Sequence, residues 1–567
     1  MVPKFLEFEL MNNPGSPAVS KSIGSKVRWK TGLILLALCA GGTVAANRLS
    51  ENATNAMIAT FTGIGVSILV LNLWWLGFSG VPWKARLGIW LLGPISLGIF
   101  GACVRNVWFE GDMRPHFEFR WDGPSARQKA QEWLAQQKSE SKPKLTITEP
   151  MEITDADWAD YCGPGRNRTI NEPLLPLDWK AQPPRELWRH PVGDAWSSFT
   201  IAGPLLFTQE QRGELECTVC YAVETGEELW RREDKARYES AQGAIGPRAT
   251  PVVTPDAIYA LGATGILTAL KPSDGSVIWQ RNILDDAGAQ MIEWGMSGTP
   301  LIDGDHLYVD AGGDKDKAVI AYNRTTGDIV WAKENHTASY TAPRIEEFNG
   351  VRHLLIFHGE GLLALNPETG DRLWEYPWTN QYKINVAQPI RFNESLFISS
   401  GYNAGCVMLN PGSVTDGRPA EVWAPAKSMK LKFNEAVRVG DYLYGIDDGI
   451  LSCIDLRDGK RKWKGGRYGF GHVLLWSDKL IVQAEDGYVA VVDAIPEKFT
   501  EVTRFNALTD RTWNVPVVNK GRLIVRNASE AACFDLRPSV EPAAAAAEPT
   551  ATEAAASETA TPEPSSK

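Results

Sequence analysis

The sequence predicts an all-β chain: an eight-bladed β-propeller of four-stranded antiparallel blades, preceded by α-helical transmembrane segments. Three observations carry that expectation. First, five segments between Tyr221 and Trp463 close on one phrase: AVETGEELW, ALKPSDGSVIW, AYNRTTGDIVW, ALNPETGDRLW and CIDLRDGKRKW. In each a Gly lies four positions before a Trp: Gly226/Trp230, Gly275/Trp279, Gly327/Trp331, Gly370/Trp374 and Gly459/Trp463. A repeat in the forties, with strand-like residues around a Gly turn, marks a propeller blade. Second, two fragments at the ends of the repeat region complement each other. RELWRHPVG supplies a last strand with no blade before it, and GRLIVRNASEAACFDL is a blade lacking its last strand. Joining them closes the ring and removes exposed sheet edges. Third, three apolar stretches precede all of this, near 31–47, 56–80 and 87–104.

Taken in order, residues 1–30 form a polar N-terminal segment carrying Lys21, Lys26, Arg28 and Lys30. Residues 31–105 form the membrane anchor, since about 20 apolar residues cross a bilayer. Lys84 and Arg86 separate the second and third stretches. The positive-inside rule then places the N-terminus in the cytoplasm and the chain after Arg105 outside it, on the periplasmic side of an inner membrane. A cleaved signal peptide is the competing reading of the first stretch, and it leaves two spans to anchor the chain. Residues 106–185 are an extracytoplasmic linker, in which PSARQKAQEWLAQQKSESK (124–142) reads as a short polar helix. Residues 186–537 are the propeller. Residues 538–567, rich in Ala, Pro and Glu, lack apolar anchors and read as a disordered tail.

Blade two illustrates the repeat. VVT, AIYAL, ILTAL and a stretch ending at Trp279 are divided by Pro-Asp, Gly-Ala-Thr-Gly and Asp-Gly, which supply the turns antiparallel hairpins need. Trp423 ends a blade with an insertion, and Phe505 takes the place of Trp in the next-to-last copy. The tryptophans end outer strands, so they read as packing between blades rather than as a stack for a cofactor. Cys220, Cys453 and Cys533 occupy the slot that Ala269, Ala321 and Ala364 hold in other copies, so they read as small core residues. Cys217 and Cys220 form a C-x-x-C with no following His, which does not read as a haem or metal site. A pairing of Cys162 or Cys406 stays open.

The formal net charge is −10 and no basic stripe is present, so a nucleic-acid partner is not expected. Chemistry, if any, belongs at one mouth of the channel, where loops between one blade and the next converge. WSSF, GPRATP, WGMSGTP, SYTAP, NVAQP, KFNEAV, GFGHV and WNVPV carry the polar and aromatic residues. The candidate funnel residues are Trp294, Arg248, Gln209, Asn385, Asn434, His472 and Asn514, with Ser297, Tyr340, Gln388 and Trp513 beside them. A concave pocket with polar groups and aromatic walls is the default ligand site. The plainer reading is that inner-strand polar groups satisfy one another, and that His472 is a hydrogen-bonded structural residue. No Ser-His-Asp order, phosphate loop or metal-ligand cluster stands out.

The phrases ALNPETGDRLW and CIDLRDGKRKW resemble the pyrroloquinoline-quinone (PQQ) repeat, A-(aliphatic)-(D/N)-x-x-T-G-x-x-x-W, over roughly residues 186 to 537. The resemblance implies the eight-bladed fold of quinoprotein dehydrogenases and of BamB-type assembly factors. The chain also looks like membrane-anchored PQQ-binding-like propellers, which share a segment like DADWADYCGPGRNRT (155–169). In the dehydrogenases the family pattern holds the quinone between a Trp and a disulfide of adjacent cysteines. Here no Cys-Cys pair exists, and no C-x-x-C-H serves a haem. Trp294 would be the stacking floor, and Gln209, Asn385 or Asn434 the oxygen donors to calcium. No catalytic residue carries over. The expectation is therefore a non-catalytic envelope scaffold, anchored in membrane lipid, whose mouth takes envelope proteins or a small ligand. The alternative is a PQQ- and calcium-dependent membrane-bound dehydrogenase acting on an alcohol or sugar.

Overall fold

The computed structural model describes residues 28–48, 53–109, 115–136, 147, 150–240 and 243–538. Most of the basic N-terminal segment, part of the expected spacer and nearly all of the acidic tail lie outside these residues. Three helices are long and apolar enough to cross a membrane, with almost nothing inside the molecule to bury them: α1 (Trp29–Arg48), α2 (Ala53–Phe78) and α3 (Trp83–Cys103). α1 and α2 lie together where Gly32 faces the Trp74 ring and Gly63 faces Thr43; small residues let the backbones approach. A hairpin (Val104–Phe109 with Pro115–Phe119) and helix α4 (Ala126–Gln136) follow. α4 is tied to the propeller through the buried carboxylate of Asp194, which pairs with Arg127 at 2.5 Å and accepts from Gln131 at 2.8 Å.

Eight antiparallel sheets make the ring. Blades one to six run over 200–234, 252–282, 301–333, 344–377, 390–426 and 436–467. Blade seven covers 472–506, and blade eight joins 517–535 to Arg185–Pro191. Closure is the expected one: the N-terminal strand pairs with Glu530–Asp535, placing Cys533 opposite Trp188. Arg189 adds a salt bridge to Glu530 across that seam.

The repeated phrase has a physical explanation in how neighbouring blades touch. In each repeat the turn Gly has a positive φ, between 70° and 75° at Gly226, Gly275, Gly327, Gly370 and Gly459. Against that Gly lies the Trp of the preceding blade: Trp188 on Gly226, Trp230 on Gly275, Trp279 on Gly327, Trp331 on Gly370 and Trp423 on Gly459. A Cβ there would sit within 3.0 Å of the indole, so only Gly fits. The indole N–H then donates to a carbonyl of the same neighbouring turn: Val223, Pro272, Arg324, Pro367 and Leu456, at 2.9 to 3.1 Å. Trp463 does the same to Ile495 at 2.8 Å. Gly and Trp are thus two halves of a lock between adjacent blades. Within a blade, each Trp pairs with the small slot residue on the third strand, Cys220, Ala269, Ala321, Ala364 or Cys453. Blade five departs from the pattern. Its third strand (Gly405–Thr415) runs on into the insertion, and the Trp374 indole N–H has no hydrogen-bond partner among the described residues. All eight cysteines are free, including Cys162 and Cys406.

Candidate functional site

The channel is closed by the segment 151–172, which the sequence leaves as linker. It enters at the end opposite the inter-blade loops. There Asp157 accepts from Gly203, Asn519 donates to Ala156 O, and Met151 N donates to Pro255 O, each in a hairpin turn after an innermost strand. Ile201 N and Val253 N then donate to Trp158 O and Ala159 O. The segment leaves as a short parallel strand, Thr169–Ile170, beside His472–Trp476 of blade seven. Between these limbs the chain crosses the axis. Cys162, Gly163, Gly165, Arg166 and Arg168 all have positive φ, which lets it reverse in a confined space. Arg166 reaches the far wall, donating to Pro343 O at 2.8 Å and Pro300 O at 2.5 Å while paired with Asp160 at 2.8 Å. The Tyr161 hydroxyl meets Glu435 of blade six at 3.2 Å. Among the described residues the plug therefore bonds to seven of the eight blades or the loops that lead into them.

Above the plug lies a cavity of about 580 Å³, opening at the mouth the inter-blade loops form. Tyr161 and His472 contribute to its lining, and eight of the lining residues are Trp, Tyr or Phe. Trp513 packs against Phe433 at 4.8 Å and Trp196 at 4.9 Å; Trp294 meets Tyr340 at 5.5 Å, and Tyr382 meets Tyr402 at 5.1 Å. Two cations join them. Lys432 sits over the Phe470 ring at 4.4 Å and Tyr402 at 5.1 Å. Arg248 lies over Tyr238 at 4.4 Å, and its guanidinium donates to Gly246 O at 2.6 Å and to Gly243 O. It has no ion-pair partner among the described residues; burial pulls its pKa down to about 10 against smaller upward pulls from Tyr238, Tyr340 and the Glu216 carboxyl, and it is still charged at neutral pH. Glu293 is the one carboxylate in the lining among the described residues.

The floor is chemically quiet. Guanidinium groups only donate, so Arg168 Nη1 donates to His472 Nδ1 at 3.2 Å, which leaves Nε2–H to donate to Trp513 O at 2.7 Å. Both ring nitrogens are engaged. Burial, and then the Arg168 charge, push the imidazole down to about 3, so it stays neutral and holds its tautomer. Burial likewise raises the Cys162 thiol to about 12.

Of the residues nominated from sequence, Trp294, Arg248 and His472 line the cavity, as do Ser297, Tyr340 and Trp513. Gln209, Asn385, Asn434 and Asn514 do not. Gln209 donates to Ala249 O and Leu261 O, Asn385 to His358 O and Trp378 O, Asn434 to Ile446 O, and Asn514 to Ser197 O and Ala195 O. They peg loops to strands at the inner ends of the blades. Gln388 is likewise turned to Ala342 O. The sequence reading did not nominate Tyr161, Trp196, Tyr382, Tyr402, Lys432 and Phe433. Trp196, Lys432 and Phe433 stand in the inter-blade loops WSSF and KFNEAV, whereas Tyr161 belongs to the plug, which no periodicity marks.

The family model PQQ_2, described as outer membrane protein assembly factor BamB, matches residues 177–297 and 290–465, just over half of the chain. The chain belongs to this PQQ_2 family. Among curated relatives, the quinoprotein ethanol dehydrogenase of Pseudomonas aeruginosa is 28% identical over 151 residues, 24% of this chain. The matched part is only 23% of that dehydrogenase's length. The outer membrane protein assembly factor BamB of Shewanella oneidensis is 22% identical over 327 residues, covering 54% of this chain and 76% of the relative. Among solved structures, a europium-containing methanol dehydrogenase superposes with a TM-score of 0.51 at 11% identity, over 69% of this chain and 99% of that one. That likeness shows a shared fold alone.

The dehydrogenases of this fold raise the question of PQQ and calcium. The residues present do not fit that pair in the expected way. Gln209, Asn385 and Asn434, the nominated oxygen donors, lie outside the cavity and bond within the scaffold. The Asn385 carbonyl accepts from the Ser400 hydroxyl and that of Asn434 from Lys432 N. No cluster of three His, Cys, Asp or Glu among the described residues is arranged to hold a metal ion.

Proposed function

We propose that this PQQ_2-family protein is a membrane-anchored propeller of the cell envelope that binds a ligand in its axial funnel without transforming it. In this reading α1 to α3 hold it in the inner membrane, and the propeller stands on the extracytoplasmic side. The observation that carries the reading is the funnel itself: about 580 Å³, closed below by the plug, rich in aromatic rings and carrying a guanidinium with no salt bridge among the described residues. That size and composition suit a small organic ligand. The engaged, neutral imidazole of His472 supports binding rather than proton transfer, since a general base needs a free nitrogen facing its substrate. Trp294 and Arg248 are the residues proposed to recognise the ligand.

The second reading, a PQQ-dependent dehydrogenase, draws support from the quinoprotein ethanol dehydrogenase match. One experiment separates the two: titrate the full-length protein with PQQ and calcium, follow absorbance and thermal melting, and assay dye-linked alcohol and sugar oxidation. The binding reading expects no turnover. A saturable spectral shift accompanied by turnover overturns it.

A further inference from the structure

We infer that the funnel's ligand is an anionic amphiphile, with a phosphate or carboxylate head held by Arg248 and Lys432 and an apolar body against Trp294, Phe433 and Trp513. The inference rests on the proposed reading of the funnel as a binding site and specifies what that site takes.

Charge gives the head. The whole chain is acidic, at −10, yet among the described residues the funnel lining carries the cations Arg248 and Lys432 against the rim carboxylate Glu293. Arg248 is the sharper case. It is largely enclosed, stacks on Tyr238 and, among the described residues, hydrogen-bonds to the uncharged carbonyls of Gly243 and Gly246. With Glu216 acting on it only from beyond salt-bridge distance, this desolvated guanidinium is an incomplete electrostatic arrangement, and an entering anion completes it with short, charge-assisted hydrogen bonds. Lys432 is carried by three aromatic rings, Phe470, Tyr402 and Phe433, at 4.4 to 5.6 Å. That seat holds an ammonium in place by cation–π attraction while leaving its lining position in the cavity.

The wall gives the body. Trp513, Phe433 and Trp196 form one continuous aromatic surface, and Trp294 with Tyr340 forms another. Such rings bind apolar and amphipathic groups and are the side chains that settle at membrane–water boundaries. The position of the mouth gives the source. Ile58, in the second turn of the apolar helix α2, belongs to the cavity lining. The charge pattern of the anchor places this end of α2 at the outer face of the membrane. The funnel thus opens against the membrane anchor rather than away from it, where an amphiphile can pass from the outer leaflet into the funnel.

The test uses the full-length protein in maltoside micelles and native mass spectrometry with three probes. Dihexanoylphosphatidylglycerol carries head and tails, glycerol 3-phosphate the head alone, and dihexanoylglycerol the tails alone. The expected result is that the phospholipid binds roughly ten-fold or more tightly than either fragment. Arg248→Gln should weaken phospholipid binding by about ten-fold or more and leave dihexanoylglycerol unchanged, whereas Trp294→Ala weakens both. Thermal melting checks that each variant is folded, and Lys432→Gln provides a second charge variant if Arg248→Gln is not. Unchanged phospholipid binding in a folded charge variant overturns the inference. So does glycerol 3-phosphate binding as tightly as the phospholipid, which identifies a free-anion site, or equally tight binding of dihexanoylglycerol, which identifies a neutral one. In those cases Trp294-dependent binding of any probe preserves the funnel as a ligand site. Absence of every Trp294-dependent signal removes both readings.

Discussion

Gly327→Ala tests the blade lock and can be worked through from the structure. Gly327 has φ +75°, and a Cβ built on it would lie 2.7 Å from the Trp279 ring. Holding an L-residue in the left-handed region costs about 1–2 kcal/mol. Forcing a methyl into a filled contact costs about 1–3 kcal/mol more, because the indole must move and its 2.9 Å hydrogen bond to Arg324 O loosens. The expected loss is therefore about 2–5 kcal/mol. Gly417, in the insertion of blade five, is the control: its φ is +74°, with nothing within 4 Å of the added methyl. Gly417→Ala should show only the backbone cost, about 1–2 kcal/mol. Urea denaturation followed by circular dichroism measures both. In a Trp279→Ala background the excess at Gly327 should vanish, since the clash then has no partner. Equal losses at Gly327 and Gly417 would refute the lock, as would an excess that survives removal of the indole.

Three further predictions follow from the same contacts. Burial pushes the Glu216 carboxyl up to about 7, with Ala263 N–H donating to it at 2.8 Å. The folded state then binds this proton more tightly than the unfolded chain, so stability falls as pH rises from about 4.5 to 7 and stays lower above; Glu216→Gln should remove roughly 3 kcal/mol of that dependence, read as urea midpoints at pH 5 and 8. Arg166→Ala strips the donor from Pro300 O and Pro343 O, so hydrogen exchange across 158–170 should accelerate about ten-fold or more while the central strands of blades three and four keep their protection. Trp279→Phe loses a hydrogen bond to Arg324 O and should cost about 1 kcal/mol more than Trp374→Phe, whose indole N–H has no partner; equal costs in thermal melts would contradict this.

The ring was legible in the sequence because every blade solves the same local problem. A turn that needs positive φ and a flat indole that must dock on it leave Gly and Trp at fixed spacing in five copies, and those five set a register in which the departures at Gly417 and Phe505 can still be placed. Closure was legible too, since RELWRHP and GRLIVRNASEAACFD each lack what the other has. The funnel was half legible. Loop position in the repeat says which residues reach the mouth, and Arg248, Trp294 and His472 do line it. It does not say which way an amide turns, and Gln209, Asn385, Asn434 and Asn514 turn to carbonyls in the scaffold. The plug was not legible. Segment 151–172 has neither strand nor helix periodicity; its structure comes from contacts with residues such as Pro343, Glu435 and His472 that lie far along the chain.

The central claim is that the funnel holds a ligand through Trp294 and Arg248 without chemistry. Native mass spectrometry of the full-length protein, extracted gently from its own membranes, tests it most directly when wild type is compared with folded Trp294→Ala and Arg248→Gln. The account predicts a small molecule of defined mass on the wild type that both variants lack. Identical bare spectra from all three proteins, or the same adduct on all three, would contradict it.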